Sequence, residues 1–246
     1  MSNLYKNLAN VYDEIYQTIF DYDAEFEFYD SILTKNNIKD VIEIGCGTGN
    51  LAKRFVAKNY TYLGVDLSQN MLDIAAKKVP SANFQQGNIC DLALNRKSDS
   101  VLITGRTISY LLTNKSIKDA FRNIYLGLNS GGVLIFDAID ASALFRDFIE
   151  PKTDELAVKF KKSEYKRISK STVNLASGWT WDWESSYFKK DENGHFKNIG
   201  DDFATLRAFT KDEIILFLNY SGFELLEITP KQSYAWKDDF YIARKI

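Results

Sequence analysis

Along the first thirty residues, apolar side chains recur every three or four positions, at Leu4, Leu8, Val11, Ile15 and Ile19. That spacing predicts a helix with one buried face, and residues 23–35 read as a second helix. The period changes at residue 40, where KDVIEIGCG is a short β-branched run closed by glycines, the pattern of a strand buried on both faces. Strand-like and helix-like segments then alternate. A helix is predicted at Asn50–Lys58, a strand at Tyr60–Asp66, and a helix over SQNMLDIAAKKVP, with Ser68 as N-cap and Pro80 just beyond its end. Short strands follow near Asn83–Gln86 and Ser100–Thr104, then a helix carrying Ile117, Phe121, Ile124 and Leu128, then the strand GGVLIFDA. Gly131 and Gly132 suit the left-handed positions that would end that helix. Strands separated by helices imply βαβ units and a parallel sheet whose carboxyl ends share one side, where ligands bind.

Between Ala141 and Leu206 the pattern becomes polar–apolar alternation, as in antiparallel strands, and Asn-Gly within DENGH (191–195) predicts a tight hairpin. Thr210 to Glu213 forms a capping box for a last helix that Gly222 closes, and FELLEITP and DDFYIARK read as two final strands. No repeat or flexible linker divides the chain. The expectation is one domain over residues 1–246: a helical cap at 1–36, a cofactor-binding core at 40–138, an antiparallel roof at 141–206 and a C-terminal helix and strand pair at 207–246.

Composition narrows the function. With 31 Lys and Arg against 33 Asp and Glu, the net charge of −2 lacks the basic excess of many nucleic-acid binders, so no nucleic-acid partner is expected. Two cysteines make no disulfide framework, and a single histidine argues against both a His/Cys metal site and Ser–His–Asp chemistry. The N-terminus carries acids and no secretory apolar region, and no apolar run approaches a membrane span, so a cytoplasmic setting without a membrane partner is expected.

The richest chemistry lies in VIEIGCGTGN, residues 41–50, where a buried strand delivers Gly45, Gly47 and Gly49 to a helix N-terminus. Glycines let a ligand approach the backbone, and the helix end offers N–H groups to an anion. The spacing GxGxG, with Asn50 next, is not the dinucleotide GxGxxG, and no Gly-Lys-Ser/Thr follows to make a P-loop. Asp66, ending the second strand, is placed to accept hydrogen bonds from both hydroxyls of a ribose.

In order along the chain, VIEIGCGTGN, YLGVDLSQNML, GNICDL and LNSGGVLIFD resemble a class I S-adenosylmethionine-dependent methyltransferase of the small-molecule type, similar to amino-sugar N-methyltransferases. The resemblance is close over residues 40–138 and looser over 210–245. It implies an α/β, doubly wound, Rossmann-like sheet of seven strands with the last reversed, carrying the antiparallel insertion and the helical cap. The implied cofactor is S-adenosyl-L-methionine, with its methionine carboxylate at the glycine loop and Glu43 organising the site around its ammonium. Cofactor-binding residues implied are Glu43, Gly45, Cys46, Gly47, Gly49, Asp66, Leu67, Met71, Asn88, Ile89, Thr104 and Gly105. The family usually has Gly-Asp where this chain has Gly87-Asn88, which leaves Asn88 and the later Asp91 as alternatives for the adenine amino group, with Ile89 packing on the ring.

Methyl transfer from a sulfonium is an in-line displacement, so alignment and exclusion of water dominate. Arg106 and Tyr110, after the fourth strand, and Tyr12 in the first helix are candidate substrate-positioning residues. Arg106 suits a substrate carboxylate or phosphate and equally a salt bridge within the fold. Tyr12 and Tyr16 share a helix face that suits a lid, or a wet amphipathic edge. Trp179, Trp181 and Trp183 alternate in GWTWDWESSY and are predicted on one strand face, suited to stacking a substrate, to a dimer contact or to packing on the sheet. Pro151–Thr172 holds seven Lys or Arg against three acids, either an anion-attracting rim or protection of an edge strand. His195 lies in the predicted turn and is not expected to act in catalysis; Cys46 and Cys90 read as packing. No metal is expected. The reading is a methyltransferase acting on nitrogen or oxygen of a small molecule, as a monomer or homodimer. Its alternatives are a catalytically silent cofactor-binding module, an RNA modifier and, more distantly, an NAD(P)-dependent oxidoreductase.

Overall fold

A computed structural model describes residues 2–94, 96–146, 148, 151–231 and 236–246; the remaining positions, scattered through the predicted cap, core, roof and C-terminal ranges, lie outside the described residues. A 3₁₀ turn (Asn3–Tyr5) leads into α1 (Ala9–Ile19) and α2 (Tyr22–Lys35). The alternating region is β1 (Asp40–Ile44), α3 (Asn50–Ala57), β2 (Thr61–Asp66), α4 (Gln69–Lys78), β3 (Asn83–Gln86), β4 (Ser98–Ile103), a 3₁₀ turn (Thr107–Tyr110), α5 (Asn114–Gly127) and β5 (Leu128–Ile139). After α6 (Ala141–Arg146) come β6 (Lys152–Phe160), β7 (Ser163–Val173), β8 (Thr180–Lys190) and β9 (Phe196–Arg207), then α7 (Lys211–Tyr220), β10 (Phe223–Lys231) and β11 (Asp238–Lys245).

The main sheet has seven strands in the order β10-β11-β5-β4-β1-β2-β3. Its five central and distal strands run parallel, and β11 is inserted antiparallel to both β5 and β10. The continuous apolar runs explain why the sheet is covered on both faces. Ile42, Ile44, Val101, Ile103, Leu134 and Phe136 pack toward α5 and α7, and the alternate residues Val41, Leu102, Val133 and Ile135 pack toward α2 and α3. The insertion forms a separate four-stranded antiparallel sheet, β6-β7-β8-β9, whose Val158, Tyr165 and Tyr187 pack on Leu4, Leu8, Ile15 and Tyr16 of the cap. Among the described residues no helix is long and apolar enough to cross a membrane.

Several local expectations change. The N-terminal helix is broken: Leu4 lies in the 3₁₀ turn and α1 begins only at Ala9. The cause is bonding across to other elements, because the Leu4 N–H donates to Asp202 and the Tyr5 carbonyl accepts from the Ser68 hydroxyl. Helix α5 ends at Gly127, before the predicted glycines, since buried Leu128 is drawn into the sheet opposite Ser98. Gly131 is left-handed (φ +74°) within β5, and Gly132 is not left-handed. In the 191–195 hairpin Gly194 alone has positive φ, so the connection is a five-residue loop, with the Asp191 carboxylate accepting the N–H groups of Asn193 and His195. Helix α6 carries no separate signal in the sequence pattern.

The three tryptophans also part company. Trp179 precedes β8 and is 40% exposed, Trp181 is fully buried among Ile139, Leu144, Ala208 and Phe145, and Trp183 is half-buried against the cap. A Trp181→Ala variant is therefore expected to lose about 3–5 kcal/mol of unfolding free energy. Trp179→Ala should change it by less than about 0.5 kcal/mol, with urea denaturation as the measurement.

Candidate functional site

The glycine loop joins the carboxyl end of β1 to the N-terminus of α3. Gly45, Gly47 and Gly49 all have positive φ, at +79°, +52° and +75°. A Cβ on Gly45 would lie 2.0 Å from Thr107 Oγ1, so at this position both backbone conformation and space demand glycine. The loop is held from below by the Val65 carbonyl, which accepts from Gly45 N (2.8 Å) and Cys46 N (3.1 Å). It is held from the side by Asp66, whose Oδ2 accepts from Gly47 N (2.9 Å) while Oδ1 accepts from Ser68 N (2.8 Å). Burial pushes the Asp66 carboxyl up, and these N–H donors oppose that shift.

Two cavities meet over this loop. One, of 360 Å³, is lined by Asp66, Leu67, Met71, Asn88 and Ile89; the other, of 120 Å³, by Glu43, Cys46, Thr48, Asn50, Thr104 and Arg106. Six residues line both: Tyr5, Tyr12, Gly45, Gly47, Gly105 and Tyr110. The smaller cavity continues under the cap and roof, past Tyr16, Phe20, Tyr22 and Glu25 on one side and Trp183, Leu206 and Trp236 on the other. Of the residues assigned to the cofactor or substrate in the sequence, all line one cavity or both except Gly49, Asp91, Trp179 and Trp181. Gly49 caps α3 behind the loop, 3.0 Å from Ala75 when given a Cβ. Asn88 lines the larger cavity and Asp91 does not; the Asn88 side-chain oxygen already accepts from Cys90 N (3.0 Å), leaving its second lone pair and its amide N–H groups for a ligand.

Glu43 sits at the floor of the smaller cavity, 2% exposed, with Tyr62 and Thr104 donating to its two oxygens. Burial raises its carboxyl to about 7, against the lowering effect of those two donors. The cap is fastened above it. Asp13 of α1 accepts from Thr48 of the glycine loop and pairs with Lys78 of α4 at 2.6 Å, and Lys78 also donates to Asn50 (2.8 Å). Tyr12 and Tyr16 stack with ring centroids 4.3 Å apart, and Tyr16 with Phe20 at 5.9 Å, so the cap presents a continuous aromatic wall.

Arg106 takes the internal salt bridge of its two alternatives: its Nε donates to Asp238 at 2.7 Å and its backbone N–H to Asp137 at 3.1 Å, with φ +60°. Asp137 also pairs with Lys231 at 2.6 Å, and Lys231 with Glu25 at 3.2 Å. Burial raises the Asp238 carboxyl to about 6, with Arg106 opposing the rise. Burial alone would lower the Lys231 ammonium, but Asp137 and Glu25 outweigh it and the net direction is upward. His195 is exposed in its turn and lines neither cavity. Tyr5, Tyr22, Glu25 and Trp236 line the site without having been singled out by motif, whereas Ser109 belongs to the segment TGRTISYLL that the resemblance places at the floor of the active site; Tyr22 and Glu25 lie in the acidic aromatic run DYDAEFEFYD, whose density was their one signal.

Residues 41–132 match the family model of a methyltransferase domain. A provisionally named methyltransferase of Geobacillus sp. (strain WCH70) is 28% identical over 235 residues, covering 92% of this chain and 91% of its own. A solved S-adenosylmethionine-dependent methyltransferase from Clostridium acetobutylicum has a TM-score of 0.79 at 23% identity, covering 99% of both chains. The DesVI structure from Streptomyces venezuelae has a TM-score of 0.77 at 20% identity, covering 90% of this chain and 91% of that one. The chain thus carries a methyltransferase domain over residues 41–132 and is similar along nearly its whole length to S-adenosylmethionine-dependent methyltransferases.

The buried Glu43 makes stability depend on pH. Because its folded-state value of about 7 lies above the ordinary 4.5, the native state holds the proton more tightly than the unfolded chain. Its stabilising contribution is therefore full below the ordinary value and is lost as pH rises through about 7. Relative to Glu43→Gln, the cofactor-free wild type should lose about 2–3 kcal/mol between pH 5 and pH 8 in urea titrations. A difference that stays flat over that range would contradict a proton-holding Glu43.

Proposed function

We propose that this enzyme transfers the methyl group of S-adenosylmethionine to an amine nitrogen of a small molecule, an amino sugar being the substrate class best supported. The observation that carries the reading is the chemistry of the smaller cavity. Its walls are the faces of Tyr12, Tyr16, Phe20, Tyr22, Trp183 and Trp236, the carboxylate of Glu25 lies among them, and the basic residue in its lining, Arg106, is paired with Asp238. Aromatic faces beside carboxylates suit a ring bearing an amine or ammonium. Nitrogen is favoured over oxygen because a neutral amine needs no base to make it nucleophilic, whereas a hydroxyl acceptor does. Glu43, the group with a value near neutrality, is occupied by Tyr62 and Thr104. A Streptomyces venezuelae relative, 30% identical over 132 residues covering 52% of this chain and 56% of its own, is named as a dTDP-3-amino-3,4,6-trideoxy-alpha-D-glucopyranose N,N-dimethyltransferase.

The residues of the two cavities fit the cofactor. The positive-φ glycines leave a cradle that a Cβ would fill, Asp66 retains lone pairs for ribose hydroxyls, Leu67, Met71 and Ile89 supply an apolar bed beside Asn88, and Glu43 offers a carboxylate to an ammonium. When bound, the cofactor supplies an electrophilic methyl group on a sulfonium. Gly45, Gly47 and Gly105 permit close backbone approach, the aromatic wall excludes water, and Thr104 steadies Glu43. A cytoplasmic setting accords with this chemistry.

Calorimetric titration tests the cofactor arm. Asp66→Ala should weaken S-adenosylmethionine binding by about 1–3 kcal/mol, and unchanged affinity would remove Asp66 from the ribose site. Incubation of the wild type with S-adenosylmethionine and a panel of amino sugars, their nucleotide conjugates and matched hydroxy sugars tests the acceptor arm. Methylation of amines but not of hydroxyls is expected, and the reverse selectivity would overturn the nitrogen reading.

A further inference from the structure

The six residues that line both cavities form the waist between them, and a polar contact joins two of these residues. The hydroxyls of Tyr5 and Tyr110 lie 2.7 Å apart, linking the N-terminal 3₁₀ turn to the turn that follows β4. Tyr12 packs edge-on against Tyr5 at 5.6 Å, which fixes the Tyr5 ring. Next to Tyr110 in the chain, Ser109 lines only the smaller cavity, is 1% exposed, and its hydroxyl has no hydrogen-bond partner. A buried hydroxyl without a partner costs about 1–3 kcal/mol, so a group that returns when ligand is bound is its natural explanation.

Resting on the nitrogen-acceptor reading above, we infer that Tyr5, Tyr110 and Ser109 form a hydroxyl triangle that receives the N–H groups of the acceptor amine and thereby aims its lone pair at the methyl group. The waist is where the aim must be set, because the Asp66 side and the Glu43 side of the cofactor cradle converge there. A primary amine has one lone pair and two N–H bonds. When oxygen atoms accept from the N–H bonds, the remaining direction is that of the lone pair. The lone pair forms the new N–C bond as the S–C bond breaks with its electrons remaining on sulfur, and the product ammonium passes its extra proton to solvent. The phenols take no proton from the substrate. Burial raises both tyrosines; Tyr110 adds to the rise at Tyr5, while the hydrogen bond with Tyr5 opposes it at Tyr110, and the net direction at both is upward, so they remain neutral hydrogen-bonding groups throughout the physiological range. Tyr5 and Ser109 are thus substrate-orienting residues, and their task is distinct from cofactor binding.

The test uses the full-length protein and the best-turned-over amine of the panel above, with Tyr5→Phe, Ser109→Ala and the double variant. Each single variant should bind S-adenosylmethionine within about twofold of wild type, keep the wild-type melting temperature within about 2 °C, and lower kcat about tenfold. The double variant should lose more than either, and Ser109→Thr should recover part of the loss through its hydroxyl. Variants that turn over at the wild-type rate, or that lose activity in proportion to lost cofactor affinity or melting temperature, overturn the assignment. A wild type that binds S-adenosylmethionine yet methylates no amine overturns the nitrogen-acceptor reading, and this assignment falls with it.

Discussion

The mouth of the sheet hangs on the carboxylate of Asp66. One of its oxygens closes the glycine loop through Gly47 N, and the other shapes the entry to α4 through Ser68 N. Those two bonds join the ends of β1 and β2 into one rigid lip. Without them the three left-handed glycines would be a flexible segment, because glycine loses more conformational freedom on folding than any other residue. Ser68 carries the constraint outward: its oxygen accepts from Met71 N and its hydroxyl proton goes to the Tyr5 carbonyl. The first residues of the chain are thereby tied to the same lip, and Asp202 of β9 holds them from the roof through Ser2 and Leu4.

A second set of constraints stands behind the acceptor cavity. Arg106, Asp137, Asp238, Lys231 and Glu25 alternate in sign through the interior and come from α2, β5, β10, β11 and the turn after β4. Buried ion pairs contribute little net stability, but removal of one member strands its partners. The network therefore acts chiefly on geometry. It holds Arg106 in a left-handed conformation that would otherwise relax, and this sets where Ser109 and Tyr110 emerge three and four residues on.

The cofactor half of the site was legible in the sequence because its chemistry is local. A loop such as residues 45–49 needs glycine for reasons that neighbouring residues reveal, and Asp66 follows at the end of the next strand. The acceptor half is assembled from Tyr5, Tyr22, Glu25, Ser109, Trp183 and Trp236, which topology alone brings together. No spacing rule relates a 3₁₀ turn at residue 3 to a tryptophan at 236. The tryptophan stripe shows the same limit from the other side. Alternation placed three rings on one face, but the end of β8 and the packing of α6 decide which is exposed, which is core and which meets the cavity. Likewise the helix predicted from Leu4 onward has the right apolar period, and only long-range bonds from Ser68 and Asp202 reveal why it is interrupted.

The reversed strand has a consequence for how the chain is made. Strand β11 is not an edge: it lies between β5 and β10, with Asp238 opposite Ile139 and Arg244 opposite Val133. During synthesis, the long apolar flank of β5 thus waits unpaired while α6, all four roof strands, α7 and β10 emerge. An open strand edge of that kind invites pairing with other chains. The main sheet, and with it the floor of both cavities, is thus completed only after the roof has been made.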